Sequence, residues 1–307
     1  MNLSDEADGA RSASGAAAFP MDTSNARHPA RAFLKRLLRS RSGRFGLFLV
    51  LALVLLALFA PLLVPFSPLE MNRGDEFEPP SARYIFGTDQ FGRDIFSRVL
   101  HGGRISLLVG FGSIGVAGMI GVGSGLLAGY MLGLVDSLVM RLWDVLLAFP
   151  NIFLGIAVVA VLGPGPLVSA LAIAVMNMPH FSRIARAAVI AEKQQEYVEA
   201  ARALGASNRR IVIRSILPNT VPPLLAQIAT AIPRAILLEA SLSFLGLGTQ
   251  PPRPSWGNML EDSREFLTRA PWYGLFPGLA LFLLVLGLIF LADAIRDLLD
   301  PTRQNID

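Results

Sequence analysis

Six stretches of apolar residues, at roughly 45–65, 104–132, 142–163, 166–186, 221–246 and 273–295, leave this chain few choices of fold. Each is near or above the ~20 residues needed to cross about 30 Å of hydrocarbon. Composition agrees. A soluble domain averages about 25% charged residues, whereas this chain has 16% charged and 53% hydrophobic residues and a mean hydropathy of +0.52. The expected fold class is an all-α integral membrane protein with six transmembrane helices. Cysteine is absent, which excludes disulfides, Cys-ligated zinc and thiol catalysis together.

The charges, net +4, are segregated along the chain. Residues 1–30 read as a disordered tail, rich in Ala, Ser, Gly, Asp and Asn at its start. The first apolar run begins too late, and is too long, for a cleaved signal peptide. Arg27, Arg31, Lys35, Arg36, Arg39, Arg41 and Arg44 precede the first span without an acid among them. Such flanks favour the cytoplasmic side and can meet anionic lipid; beside a membrane span they read as an orientation signal rather than a nucleic-acid arm. Six spans then put both termini in the cytoplasm. The expected divisions are 1–30, a basic arm with the first span and an extracytoplasmic segment over 31–103, a five-helix transmembrane domain over 104–295, and a cytoplasmic tail over 296–307. The loop with Arg183, Arg186, Lys193, Arg202, Arg209, Arg210 and Arg214 falls inside. The segments 66–103 and 246–271 mix both signs and fall outside.

Span two carries Ser113, Ala117, Gly121, Gly125 and Gly129 at every fourth position. On a helix they form one smooth stripe that admits a neighbouring backbone, within the chain or from a second subunit. Prolines 150, 164, 166, 179, 222, 223 and 233 lie in or beside spans, where they bend helices. Glu239 lies deep in span five. A carboxylate there must find a partner, take up a proton or face water, so it either lines a path or holds helices together, and Asn177 and Gln227 pose the same choice. Arg141 and Asp144 flank Trp143 as an interfacial anchor of span three.

The longest inside connection predicts two short helices. Good helix formers over 192–204 stop at Gly205, a residue that accepts positive φ. Ser207 can cap a second helix, which Pro218 is expected to end. Ala200, Ala201 and Ala203 leave a shallow face suited to a groove on another protein.

Glu199-Ala200-Ala201, then Gly205, then Leu217-Pro218 resembles the EAA loop of ABC importer permeases. The usual pattern has an aliphatic residue where this chain has Ser215. Gly87-Thr88-Asp89-Gln90-Phe91-Gly92-Arg93-Asp94, the run Glu239 to Gly248, Pro254-Ser255-Trp256-Gly257, and Asp293 to Asp297 with Asp300-Pro301 resemble the dipeptide/oligopeptide/nickel branch, second-permease type, over about 31–303. The resemblance implies a type I ABC importer permease fold in the bacterial cytoplasmic membrane, with a coupling helix that docks on an ATPase subunit. It also implies a second permease subunit, two ATP-binding subunits holding ATP and Mg, and an extracytoplasmic solute-binding protein. Relatives commonly carry Trp and Tyr where this chain has Met178 and Phe181, a departure that bears on the cargo if that region lines the path. Peptides are the commonest cargo, with nickel and glutathione among the others.

This chain is not expected to bind a cofactor, a metal or nucleic acid itself. It lacks a Gly-Lys-Ser/Thr phosphate loop, so ATP must bind another polypeptide. His180 and Ser124 lack an orienting third group for hydrolysis. A stand-alone secondary transporter or channel would need coupling charges or an internal repeat, and neither is evident.

Overall fold

The computed structural model describes residues 29–299; the sequence-based readings of the earlier tail and of 300 onward, including Asp300-Pro301, fall outside the described residues. The chain divides into two units, 1–36 and 37–307, and the second contains the helices from α2 onward. Among the described residues all regular structure is helical, apart from one antiparallel bridge between Thr88 and Asp94.

After α1 (Pro29–Arg39), the Ser40 hydroxyl accepts a 2.9 Å hydrogen bond from the Gly43 amide and opens α2 (Arg41–Leu58). A single turn, α3 (Ala60–Leu63), ends it. The 37-residue α4 (Ile95–Met131) starts nine residues before the apolar run, because the Asp94 carboxylate caps it through the Ser97 amide at 2.9 Å. Next come α5 (Gly133–Leu147), α6 (Asn151–Leu162) and α7 (Pro166–Lys193). The hairpin comprises α8 (Glu196–Ala203) and α9 (Asn208–Ile211). It leads into α10 (Leu217–Phe244), α11 (Trp256–Ser263) and α12 (Pro271–Leu299).

By length and composition, α2, α4, α7, the run Asn208–Phe244 and α12 can each cross a bilayer, and the count reaches six when the bent pair α5–α6 is taken as one span. The expected span at 142–163 is therefore two helices, meeting at 92°. Pro150 explains the break: its ring disfavours helical geometry at Phe149, and the helix restarts at Asn151. Trp143, expected at an interface, is instead buried with Ile114, Ile173 and Phe181.

The small-residue stripe of α4 packs inside the chain, against α7. A Cβ on Gly121 would sit 2.6 Å from the Met178 carbonyl oxygen, and one on Gly129 would sit 2.8 Å from that of Arg186; one on Gly125 would strike the Ser182 carbonyl. Ser113 and Ala117 are also fully buried. With no bulk between them the two helices close on backbone, the contact that small residues permit where lipid supplies no hydrophobic drive. Met178 and Phe181 are buried in this seam. These two positions therefore serve helix packing rather than a path surface.

Candidate functional site

The loop after α7 folds as a strapped hairpin. Helix α7 runs on to Lys193, so the predicted 192–204 helix is shorter than expected: Gln194 and Gln195 turn the chain and α8 begins at Glu196. At its far end the Gly205 amide donates to the Arg202 carbonyl and the Ala206 amide to the Ala201 carbonyl, both at 3.0 Å. This paired closure needs a left-handed residue, and Gly205 has φ +78°. The Ser207 hydroxyl then accepts from the Arg210 amide and caps α9.

Pro218 does not end this second helix. Residues Val212–Ile216 form a π turn, closed by the Leu217 amide on the Val212 carbonyl, and α10 continues without a stop. A proline lacks the amide hydrogen and clashes with the preceding turn; a widened turn just before it accommodates both faults.

One face of the hairpin is fixed and the other is free. Val198, Ile211 and Ile216 are buried with Val189, and Leu126, Tyr130, Ala201 and Ala206 pack around them. The Tyr130 hydroxyl donates to Asn208 Oδ1 at 2.7 Å, and Lys193 Nζ donates to the Tyr130 carbonyl at 2.7 Å. Tyr197 ties α8 to both adjoining helices: its hydroxyl donates to Glu192 and accepts from Asn219 Nδ2 at 2.8 Å. Burial and the Glu192 carboxylate push its phenol above the ordinary value. Glu199, Ala200 and Ala203 stay exposed. Leu204 is 89% exposed at the tip, beside a shallow hollow with Arg210 and Arg214 on its rim.

The polar residues singled out in the spans separate. Asn177 and Gln227 meet in a cavity of about 250 Å³ with Asn151, His180, Arg183 and Arg234. The α5–α6 break delivers Asn151, the first residue of α6. Asn177 donates its amide to the Ile173 carbonyl at 2.8 Å, and Arg183 pairs with Asp144 at 2.6 Å. Glu239 lies elsewhere. It is buried, accepts from the Ser243 hydroxyl at 2.8 Å, and has the Ser106 and Ser255 hydroxyls close by. Of the two roles open to it, helix packing fits its surroundings. Among the described residues no three His, Asp or Glu gather as a metal site.

Residues 121–305 match the family described as binding-protein-dependent transport system inner membrane component, and residues 28–80 match the N-terminal transmembrane domain of oligopeptide transport permease C. The chain belongs to this permease family. It is 45% identical to the dipeptide transport system permease protein DppC of Alkalihalophilus pseudofirmus, over 93% of this chain and 94% of that one. The di/tripeptide transport system permease protein DppC of Pseudomonas aeruginosa is 41% identical, over 90% and 93%. The glutathione transport system permease protein GsiD of Pectobacterium atrosepticum is 44% identical, over 91% and 93%. A solved methionine ABC transporter, MetNI in inward-facing conformations, shares the fold with a TM-score of 0.54 and 18% identity, over 66% of this chain and 96% of that one.

The permease also holds a charged node that sequence reading missed, at the start of α4. Asp89 and Arg93 pair at 2.6 Å, Arg98 Nε lies 3.5 Å from the same Asp89 oxygen, and all three are almost fully buried. Arg98 also donates to the Pro68 carbonyl at 3.2 Å and reaches the Pro252 carbonyl at 3.5 Å. Trp256 Nε1 donates to the Val99 carbonyl at 2.8 Å, and Tyr273 donates to Asp262 at 3.2 Å. The Gly87–Asp94 run is thus a structural knot that joins the segment before α4 to the segment after α10. Arg234 was missed as well. It is exposed within a membrane-length helix, where insertion scales put the cost of a lone charge at about 2.5–3.5 kcal/mol. The available signal was a single helical face, with Gln227, Ala231, Arg234 and Leu238 spaced 4, 3 and 4 apart.

Proposed function

We propose that this permease imports peptides or closely related solutes such as glutathione. It does so as one half of a heterodimeric pore in the bacterial cytoplasmic membrane, with both termini inside. Two ATP-binding subunits carry the nucleotide and Mg, and an extracytoplasmic binding protein delivers the cargo. The observation that carries this reading is the hairpin: α8 is strapped to α4, α7 and α10 on one side and offers Glu199, Ala200, Ala203 and Leu204 on the other. Its small residues admit a groove wall, and Leu204 supplies an apolar plug for it. An ATPase subunit that grips this knob and moves on closing over ATP biases the bundle between inward- and outward-open states. The relatives that carry peptides and glutathione support the cargo class.

Gly205→Val tests the assignment. A β-branched residue at φ +78° costs at least about 1–2 kcal/mol and reshapes the knob, although nothing crowds the position. Membrane insertion should be unchanged, while ATP-driven uptake by the reconstituted four-subunit assembly, supplied with its binding protein, should be lost. Uptake at the wild-type rate would remove the hairpin from the mechanism.

A further inference from the structure

The cavity between α6, α7 and α10 holds a charge that coupling to an ATPase does not explain. Arg234 lies ten residues before the end of α10, about 15 Å along the axis, inside a run long and apolar enough to cross a membrane. Among the described residues no carboxylate stands within ion-pair distance of it. The other cation of the cavity, Arg183, is already paired with Asp144. What remains beside Arg234 is His180 with the carboxamides of Asn151, Asn177 and Gln227, a lining with donors and no acid of its own. On its far side Arg234 borders a second hollow that includes Asp293 and, one turn along α12, Arg296; among the described residues no ion pair joins Asp293 to Arg234.

We infer that Arg234 is the docking point for a carboxylate of the passing solute, with the Gln227 and Asn151 carboxamides as auxiliary donors. For a peptide this is the C-terminal carboxylate. The inference rests on the permease reading and assigns that reading a point of solute contact. Guanidinium presents a planar fork that matches carboxylate geometry and stays charged when water is scarce. One such contact also suits a path, which must hold a solute well enough to admit it and weakly enough to release it.

The absence of cysteine makes a direct test available. Gln227→Cys, placed in the assembled transporter with cysteine-free partner subunits, puts the only thiol beside Arg234. Its modification is timed with the anionic sulfonatoethyl and the cationic trimethylammonioethyl methanethiosulfonates. The anionic-to-cationic rate ratio should fall on the order of tenfold when Arg234→Gln is added, as expected for loss of a nearby unit charge, and should largely persist with Arg234→Lys. Acetate should slow modification by the anionic reagent relative to chloride at equal ionic strength, and acetamide should not. A ratio indifferent to Arg234→Gln overturns the inference alone; that result is expected if a carboxylate of the second permease subunit neutralises Arg234. A thiol at position 227 that reacts in no nucleotide state overturns the path reading as well.

Discussion

The two ends of α4 are held by opposite means. At its start, Asp89, Arg93 and Arg98 direct their charges to one another and to backbone carbonyls, and none is more than 3% exposed. At its finish, the hairpin is held by four buried aliphatic side chains and a few hydrogen bonds, with most of α8 in the open. A buried polar network is costly to break because each member depends on the others. A small apolar anchor with an exposed flank can be pulled by something else. The contrast separates an end of α4 held by buried charge from an end whose hairpin keeps most of α8 exposed.

The sharpest break of that contrast is Asp89→Ala. It takes from two buried guanidiniums the carboxylate they share, leaving only the weaker pull of Asp262, and removing one partner of a buried pair costs about 3–5 kcal/mol. The purified protein should lose most of its thermal stability in detergent, and hydrogen exchange should rise first around 66–100 and 250–262. Gly125→Leu comes next. The added side chain meets the Ser182 carbonyl and the Ala185 Cβ rather than a flexible tip, and overpacking of this kind costs about 1–3 kcal/mol. The melting midpoint should fall, and both ends of α4 should lose protection together. Tyr197→Phe should act at the hairpin only. It removes the hydroxyl that serves Glu192 and Asn219, worth at most about 1 kcal/mol at an exposed site. Uptake should drop several-fold while the melting midpoint stays put; an unchanged rate would deny the brace any part in coupling.

The smallest effect is expected at Asp262→Asn, on the rim of the charged node. Burial holds the Asp262 carboxyl above its usual range, against the pull of Arg98. A raised native pKa means that the folded state favours the protonated acid, so its contribution is fully present below the unfolded value and fades as pH rises through the native one. At neutral pH the neutral amide should therefore match or slightly exceed the wild type in melting midpoint. The wild type should gain on the variant as the buffer is taken toward pH 4. A wild-type advantage that instead grows with pH would mean that the ionised form of Asp262 is the one the node stabilises.

Sequence alone reached the hairpin better than the node, for a physical reason. Gly205 and Ser207 are local signals, because a left-handed residue and a hydroxyl cap act within a few positions of themselves. The end of α7 at Lys193 had no such marker, since neither glycine nor proline stands near Gln194. The π turn that carries the chain past Pro218 was equally hidden; a proline is a probable stop only until a neighbouring turn absorbs it. The node depends on Arg98 meeting carbonyls 30 and 154 residues away, a separation that no local pattern encodes. For the cavity, residue types were legible but helix rotation was not. Asn177 and Gln227 part from Glu239 because α10 turns one face toward α7 and the other toward Ser106.

The glycine seam between α4 and α7 has a mechanical consequence. From Gly121 to Gly129 the two helices approach so closely that no Cβ fits between them. Such packing favours their moving as one beam. On the coupling proposed above, a tug on α8 would reach the beam as a tilt, carrying Asn177 and His180 with it, and the widened turn at 212–216 is where α10 would yield. The cavity would open or shut according to how far those two motions disagree.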